Sequence, residues 1–494
     1  MTQTITIVAN VIKAKLINAD DAAKLIASDV LSYYVNGYDM MDSYRSGSWD
    51  GRSTFFDYAY QTFPAGFVST MASKLTAKGY RVIVRKKSAP PPLGPDVDEA
   101  YRLVNQFGVD PRYDYQPETV KRLVKYGQMI AQIATGGGKS MVACTAVKAI
   151  MRPTLFITTR QALMYQMKAG FEEAGFKVGV MGDGEWSPKK GVNVATIQTI
   201  ASRLNNPKHE LATRRLLQLI EFAILEEAHE ASSDTYFDVM NALPNAHYRM
   251  SLTATPFMRA EAEDNMRLMA VSGQVAIKVS EKMLIDRGVL AKPYFKYAKT
   301  TMPEEMLKSS GWQKAYDLGI VKNKVRNSSI VEESVRAVSC GLPVMVLVQR
   351  KNHGAELKQM LQAKGLRTDF IYGAHDQDRR QRALDKLKDG TLNVLIGSTI
   401  LDVGVDVPAV GLVVLAGGGK AEIALRQRIG RGLRAKKNGP NVCMVLDFVD
   451  SKSKHLIKHY KTRRQIIEGT PGFSENILKP GKDFPYKELG FLSK

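Results

Sequence analysis

The sequence predicts an α/β protein with two tandem domains, each built on a parallel sheet, preceded by a small α+β domain. From about residue 106, short and almost wholly apolar runs alternate with longer amphipathic runs, which is typical of parallel strands covered by helices on both faces. The alternation occurs twice, with a less regular stretch around 281–321 between the two sets. Four prolines lie in the segment from Arg85 to Glu99, and such a segment favours extended backbone and indicates a linker.

These breaks predict five segments: a small α+β domain at 1–88, a Pro-rich linker at 89–105, α/β domains at 106–285 and 286–450, and a basic extension at 451–494. In the first segment, Ile5 to Leu16 and Tyr80 to Val84 have strand-like patterns, and Phe67 to Gly79 has helical spacing. The strands predicted for the α/β domains are 128–133, 154–159, 191–196, 222–227, 248–255, 343–348, 368–373, 393–398, 411–416 and 441–448.

Composition narrows the class of protein. The 494 residues carry 70 Lys and Arg against 49 Asp and Glu, a net charge of +21, and 44% of them are hydrophobic. These values are typical of a soluble globular protein and favour a polyanionic partner such as nucleic acid. The three cysteines, Cys144, Cys340 and Cys443, are too scattered for a disulfide framework or a zinc finger, which indicates a reducing, cytoplasmic location. No run reaches the roughly 18 apolar residues of a membrane span, so we expect no membrane partner.

A glycine-rich turn at residues 134–140, ATGGGKS, lies between a predicted strand and a predicted helix. Because glycines let backbone amides approach phosphates and a helix N-terminus adds positive potential, this arrangement predicts a phosphate cradle. In it, Lys139 reaches the β- and γ-phosphates and the Ser140 hydroxyl ligates Mg²⁺. A plain structural turn is the alternative, since Ile133 stands where the strict pattern has glycine, but the strand–helix context favours nucleotide. The cradle comprises Thr135, Gly136, Gly137, Gly138, Lys139 and Ser140.

Two adjacent carboxylates end another predicted strand, in the sequence AILEEAHE at 223–230. The carboxyl ends of parallel strands form the edge where α/β sheets bind ligands. There, Glu226 is predicted to hold the Mg²⁺ shell, and Glu227 to orient and deprotonate an attacking water. A Glu-Glu pair alone is more typical of a solvated helix start. The sequence TATP at 253–256 and the preceding Lys139 favour the catalytic interpretation.

Four motifs occur in the order found in superfamily-two helicases and translocases: ATGGGKS, LEEAHE, SLTATP and QRIGRGLR. Residues from about 112 to 450 fit this pattern. The resemblance implies two RecA-like domains with ATP and Mg²⁺ bound in the cleft between them. It also implies a DNA-dependent ATPase, in which hydrolysis drives movement along the nucleic acid.

The same resemblance assigns roles to residues of the first domain. Gln116, in YDYQPETV, resembles the element that reads the adenine edge. His229 resembles a coupling residue that faces the second domain. Thr253 and Thr255 resemble the link between hydrolysis and domain closure.

In the second domain, the resemblance concerns the segments 397–408 and 427–434. Arg431 and Arg434 resemble arginine fingers, which stabilise charge on the transferring phosphoryl group. Gln427 resembles a residue on the γ-phosphate side, and Gly404 and Asp406 resemble positions near the nucleotide.

Further segments resemble the family's nucleic-acid-contacting motifs. Hydroxyls, backbone amides and arginines directed at phosphates bind independently of base sequence, as a motor requires. Taken singly, each such residue is more typical of a strand-end cap or an exposed charge. The residues concerned are Thr159, Arg160, Thr196, Thr199, Gln349, Arg350 and Thr399.

The amino-terminal segment resembles the small domain that precedes the motor in phage UvsW-type helicases, and a related Trp-Asp-Gly module precedes XPB-like motors. The resemblance lies in GSWDGRSTFF at 47–56 and in residues 62–84. Trp49 and Arg52 would stack on bases or contact the backbone at a DNA junction. The alternative is that Trp49, Phe55 and Phe56 form the core of this small domain.

Two features depart from the pattern or add to it. The family's usual Asp-Glu pair is Glu226-Glu227 here; the longer side chain would displace a Mg²⁺ contact by about 1.5 Å unless the backbone compensates. His455 and His459 lie four residues apart in the extension at 451–494, but no third ligand completes a metal site, and a basic helix packed on the second α/β domain is favoured.

By resemblance, the expected function is ATP-dependent remodelling of branched DNA, including fork reversal, Holliday-junction branch migration, unwinding and annealing, in replication, recombination or repair. The expected partners are single-stranded, forked and four-way DNA and a single-strand-binding or recombination protein. The expected form is a monomer, located in the host cytoplasm if phage-encoded. Two alternatives stay open: an RNA-directed motor of the same superfamily, and a DNA-binding or annealing protein whose ATPase is weakened by Glu226.

Overall fold

The protein is described through a computed structural model. The structure describes residues 3–491 except 107, 228–232, 258–261, 374, 399–409, 420–424, 426–428, 431 and 437–438. It divides into two compact units, Met1–Ala134 with Gly138–Lys278 and Thr135–Gly137 with Val279–Lys494. Within the described residues, no helix has the length and apolarity needed to cross a membrane.

The amino-terminal residues form a small α+β module on a four-stranded sheet of order β5-β2-β1-β6. Helices α1 and α3 cover one face of this sheet, and the core contains Ile5, Ile7, Leu16 and Leu75. A two-stranded ribbon, β3 with β4, stands beside it. The elements are β1 Thr4–Ala9, β2 Lys13–Ile17, α1 Asp21–Val30, β3 Ser32–Tyr34, a 3₁₀ turn Tyr38–Met40, α2 Asp42–Arg45, β4 Arg52–Thr54, β5 Thr62–Pro64, a 3₁₀ turn Ala65–Phe67, α3 Val68–Ala77 and β6 Arg81–Lys86.

The rest of the first unit surrounds an eight-stranded sheet of order β10-β9-β11-β8-β12-β13-β7-β14. Strands β9, β11, β8, β12, β13 and β7 run parallel. The elements are α4 Val97–Val104, a 3₁₀ turn Pro111–Tyr113, α5 Tyr115–Tyr126, β7 Gln128–Ile133, α6 Lys139–Ile150, β8 Thr154–Thr158, α7 Gln161–Glu173, β9 Val178–Gly182, β10 Glu185–Ser187, β11 Val192–Thr196, α8 Ile197–Leu204, α9 Glu210–Leu217, β12 Phe222–Glu226, α10 Ser233–Asn241, β13 Tyr248–Thr253, α11 Ala262–Ser272 and β14 Val275–Val279.

The second unit is built on a parallel six-stranded sheet of order β15-β20-β19-β16-β18-β17. The elements are α12 Glu281–Asp286, β15 Lys292–Lys299, α13 Trp312–Tyr316, a π-helical turn Asp317–Val321, α14 Lys324–Ser339, β16 Val344–Leu347, α15 Lys351–Ala363, β17 Thr368–Ile371, α16 Gln377–Lys388, β18 Val394–Gly397, β19 Leu412–Val414, β20 Val442–Val449, α17 Lys454–Glu468 and a 3₁₀ turn Ser474–Asn476. Residues after α17 return to the domain, where Phe484 is buried in its core.

The predicted fold class is confirmed, because two parallel sheets follow a small α+β module. Each strand predicted for the α/β domains overlaps an observed strand. The structure adds strands β9, β10, β14 and β15 and splits the run at 5–16 into a hairpin. Part of the predicted linker forms a helix, α4, which begins after Asp96. The Asp96 carboxylate accepts hydrogen bonds from the amides of Asp98 and Glu99. The buried side chain of Tyr101 packs α4 against the domain.

Candidate nucleotide-binding site

The glycine-rich turn joins β7 to α6, as the sequence predicts. Gly136 and Gly138 have φ values of +85° and +78°, and Gly138 is the N-cap of α6. This left-handed backbone favours glycine. A Cβ atom built on Gly138 would also collide with the side-chain amide of Gln116. Both backbone conformation and available space therefore require glycine here, and the turn leaves the first amides of α6 available to a phosphate.

The two predicted carboxylates end β12, which lies between β8 and β13. Glu226 is buried as the last strand residue, with 4% of its surface exposed. Glu227 follows with a φ of +51°, an uncommon conformation outside glycine that often marks functional sites. Its Oε1 atom lies 3.4 Å from Nζ of Lys139, and both side chains are 12% exposed. The structure thus brings Lys139 and the carboxylates to one sheet edge.

The end of β13 lies beside the same turn. Thr253 pairs in the sheet with Gln132 of β7, and its Oγ1 atom accepts a 3.2 Å hydrogen bond from the amide of Thr255. The Gln132 amide donates to the Ala254 carbonyl at 3.3 Å. Both threonines are buried. Their position connects the segment after β13 to the strand that carries the glycine-rich turn.

Gln116 lies in the first turn of α5 and is buried, with 3% of its surface exposed. The hydroxyl of Tyr101 donates a 3.0 Å hydrogen bond to the Oε1 atom of Gln116. The Nε2 atom of the same side-chain amide lies on the side of Gly138. Sequence reasoning missed Tyr101 because it assigned residues 89–105 to a linker. The signal was present, since Asp96 followed by Asp98 and Glu99 is a helix start.

The site offers the chemistry that Mg²⁺ requires. The Ser140 hydroxyl in the first turn of α6 and the Glu226 carboxylate are oxygen ligands, which Mg²⁺ prefers. Burial, followed by the charges of Glu173 and Glu226, raises the pKa of the Cys144 thiol to about 12. Because Cys144 is a residue of α6, this shift indicates that the Glu226 carboxylate lies close to that helix. These residues therefore fit a magnesium ion bound together with a phosphate chain.

The candidate nucleic-acid residues of the first unit end two adjacent strands. Thr159 and Arg160 follow β8, where Arg160 is the N-cap of α7. Thr196 ends β11 and shares a 2.8 Å hydrogen bond with Thr199. Because Thr196 pairs with Thr158 in the sheet, the structure brings the two pairs to one edge.

In the second unit, Gln349 and Arg350 lie between β16 and α15. The Gln349 amide donates to the Gly418 carbonyl at 3.3 Å, and the Arg350 guanidinium lies 5.6 Å from the ring centre of Tyr316. Arg434 is exposed and pairs with Leu290 in an isolated bridge. His229, Thr399, Gly404, Asp406, Gln427 and Arg431 lie outside the described residues.

The amino-terminal candidates are engaged within their own module. The Trp49 indole donates a 2.7 Å hydrogen bond to the Arg52 carbonyl. The Arg52 guanidinium lies 3.2 Å from an Asp29 carboxylate oxygen and 5.6 Å from the ring centre of Tyr34. Phe56 is buried in the core of the module and Phe55 packs against it, whereas Trp49 is half-buried.

The two histidines of α17 pack against an aromatic side chain. The rings of His455 and His459 lie 6.3 Å and 4.6 Å from that of Trp312. Among the described residues, no group of three or more His, Cys, Asp or Glu side chains is arranged to hold a metal ion. The favoured interpretation, a helix packed on the second α/β domain, fits the burial of Leu456 and Ile467.

Two family models match the chain. Residues 110–258 match "Type III restriction enzyme, res subunit", and residues 328–436 match "Helicase conserved C-terminal domain". Among solved structures, a DUF1998 helicase, MrfA, bound to DNA has a TM-score of 0.58 at 14% identity, over 76% of this chain and 51% of that one. That likeness concerns the fold.

A DNA translocase and a DNA helicase are among the curated relatives. The DNA 3'-5' translocase XPB2 of Sulfurisphaera tokodaii is 26% identical over 359 residues, 65% of this chain and 78% of that protein. The ATP-dependent DNA helicase uvsW of Enterobacteria phage T4 is 22% identical over 461 residues, 87% of this chain and 89% of that protein. With the two family models and the motif order, these relatives show that the chain belongs to the superfamily-two helicases, ATP-dependent enzymes among which it resembles the UvsW and XPB types.

Proposed function

We propose that the chain is an ATP-driven motor on DNA that remodels branched substrates by fork reversal, branch migration, unwinding and annealing in replication, recombination or repair. The observation that carries the proposal is the placement of Lys139 beside Glu227, at the sheet edge where the glycine-rich turn begins α6. The named relatives that support it are a DNA translocase and a DNA helicase. We expect a monomer, and a single-strand-binding or recombination protein as a partner.

ATP binding would rearrange the ion pair at the site. Lys139 now pairs with Glu227 at 3.4 Å. A γ-phosphate is a stronger partner for the ammonium group, so its arrival would release Glu227 to orient the attacking water and accept its proton. The first amides of α6 would hold the β-phosphate, and the Gln116 amide would bind the adenine edge.

Ser140 and Glu226 would hold the magnesium ion, whose charge would neutralise that of the β- and γ-phosphates. Thr253 and Thr255 would transmit the loss of the γ-phosphate. Thr253 ends β13, which is paired with β7, the strand that leads into the glycine-rich turn. The Thr255 amide donates a hydrogen bond to Thr253, so both threonines lie where a change at the γ-phosphate would reach them.

DNA-stimulated ATP turnover tests the proposal. We would compare stimulation by single-stranded, duplex, forked and four-way DNA and by RNA of matched sequence. The proposal expects stimulation by DNA, with branched DNA giving the largest effect, and little by RNA. Equal or greater stimulation by RNA would instead support the RNA-directed motor, since the two nucleic acids differ at the 2′-hydroxyl.

The Glu226→Asp variant tests the other alternative, a DNA-binding or annealing protein with a weak ATPase. If the backbone at the end of β12 compensates for the longer side chain of Glu226, the Glu226→Asp variant will show unchanged or lower ATP turnover. A strong rise in turnover, with DNA binding unchanged, would favour the weak-ATPase alternative. Asp183→Glu, an exposed carboxylate substitution in the same domain, is the control for a change of one methylene.

A further inference from the structure

The sheet of the amino-terminal module has one covered face and one open face. Residues that point inward on β1 and β2, such as Ile5, Ile7 and Leu16, are fully buried under α1 and α3. The alternate residues point outward and are exposed or half-exposed. We call the open side the outer sheet face; its cations are Lys13, Lys15, Arg81 and Arg85, and the uncharged residues between them are Thr4, Thr6, Val8 and Ile83.

Strand register places the cations in two rows. Val8 of β1 pairs with Lys15 on one side and with Arg85 on the other. Since neighbouring strands lie about 4.8 Å apart, the Cα atoms of Lys15 and Arg85 are separated by about 10 Å. Thr4 pairs with Arg81 of β6, and its register to β2 does not extend that far. The rows on β2 and β6 therefore flank an uncharged central strand.

The charge of this face is not neutralised by the protein. All four cations are exposed, and none has an ion pair among the described residues. From residue 58 to residue 95 the chain has six Lys and Arg and no Asp or Glu. Arg52 of the same module differs, because Asp29 and Tyr34 already engage its guanidinium.

The composition of the face indicates which polyanion it fits. Unpaired bases bind by stacking on aromatic side chains, and none of the outward positions on β1, β2 and β6 is aromatic. The two rows of cations are about 10 Å apart, which is close to the roughly 12 Å width of the major groove. The two phosphate backbones of a duplex border that groove. The face therefore suits the phosphates of duplex DNA.

The module is held firmly against the first α/β domain. A Cβ atom on Gly66 would collide with the carbonyl of Met269 in α11, so the backbones are in close contact. The Gln128 amide of β7 donates to the Val11 carbonyl at 2.9 Å. A duplex on the outer sheet face would thus keep a constant position relative to β7 and α11 of the first α/β domain.

We propose that the outer sheet face binds the phosphate backbones of a duplex arm of the DNA substrate, through Lys13, Lys15, Arg81 and Arg85. The inference rests on the proposed function, since it names the part of a branched substrate that the module holds. It replaces Trp49 and Arg52 as the principal contacts of this module. The duplex arm would be held while the α/β domains act on the adjoining strand.

The test compares two double substitutions that remove equal charge. Lys15→Ala with Arg85→Ala changes the centre of the outer sheet face. Lys74→Ala with Lys78→Ala removes two exposed cations at the helix that covers the opposite face. Binding of the full chain to a labelled blunt duplex and to a four-way junction is measured over a series of salt concentrations. Turnover stimulated by single-stranded DNA is measured separately.

We expect Lys15→Ala with Arg85→Ala to weaken duplex and junction binding roughly tenfold, and to lower the slope of log affinity against log salt by about 2, since each phosphate contact contributes about 0.9. The Lys74, Lys78 control should stay within about twofold. Equal losses in both variants, or none in the first, would overturn the proposal. Absence of DNA-stimulated turnover in the unchanged chain would instead count against the proposed function, and the binding result would still decide this site.

Discussion

Two clusters of charge at the ends of parallel strands differ in their access to solvent. In the first unit, Lys139 and Glu227 lie 3.4 Å apart and are each 12% exposed. In the second, Arg463 binds Asp447 at 2.9 Å, with side chains 2% and 1% exposed. A ligand can reach Lys139 and replace Glu227 as its partner, whereas the second group is closed to solvent. We call the first the open cluster and the second the sealed cluster. Position at a sheet edge does not by itself make a charge functional.

The sealed cluster owes its burial to α17. Arg463 of this helix contacts Asp447 and Asp450, and Arg326 of α14 contacts Asp450 at 2.7 Å. The two arginines also donate to the carbonyls of Ala416 and Gly419. The flanking aspartates hold the pKa of Arg463 above its usual range despite its burial. The extension at 451–494 is therefore part of the second unit's core.

The largest effect expected concerns this sealed cluster. Arg463→Ala would leave two buried carboxylates short of a partner, which costs about 3–5 kcal/mol in the free energy of unfolding. Arg464→Ala is the matched control: its exposed pair with Glu468 contributes about 0–1 kcal/mol. Urea unfolding of both variants measures the difference. Similar losses of stability for the two would contradict a structural role for the buried cluster.

The open pair should show the reverse behaviour. Lys139→Ala removes the cation that holds the γ-phosphate, and we expect turnover to fall roughly 10²–10³-fold, about 3–4 kcal/mol of transition-state stabilisation. The free energy of unfolding should fall less than in Arg463→Ala, because the Lys139–Glu227 pair is longer and more accessible than the pair of Arg463 with Asp447.

Lys148→Ala, in the last turn of the same helix, controls for loss of a lysine from α6 and should leave turnover nearly unchanged. Single-turnover hydrolysis and strand unwinding are the measurements. Branch migration that still depends on ATP in Lys139→Ala would refute the assignment of the site.

The sequence predicted the open cluster and missed the sealed one. The glycine-rich turn and the Glu226-Glu227 pair follow apolar strands directly, so local pattern places them at one edge. Arg326, Asp447 and Arg463 are far apart in sequence, and a single charged residue in a helical pattern normally indicates solvent. Their burial depends on tertiary packing, which local periodicity does not encode.

A smaller effect is expected at the glycine-rich turn. Gly138→Ala adds a Cβ against the Gln116 amide and forces a φ of +78° on an L-residue, so ATP affinity should fall about tenfold, or about 1.4 kcal/mol. Gly175→Ala has a φ of +91° with no atom within 4 Å of the added Cβ. It shares the backbone strain without filling the cradle. An equal loss of ATP affinity in both variants would show that general destabilisation by a strained backbone, rather than the space beside Gln116, explains the effect.

The smallest effect separates adenine recognition from phosphate binding. Tyr101→Phe removes the hydroxyl that holds Oε1 of Gln116 at 3.0 Å. A hydrogen bond of this kind contributes about 0.5–1.5 kcal/mol, so preference for ATP over GTP should fall about two- to tenfold while turnover at saturation persists. Tyr126→Phe, an exposed position on the helix that carries Gln116, should change neither. If Tyr101→Phe lowers binding of ATP and GTP equally, the hydroxyl supports the site as a whole, and Gln116 does not read the base.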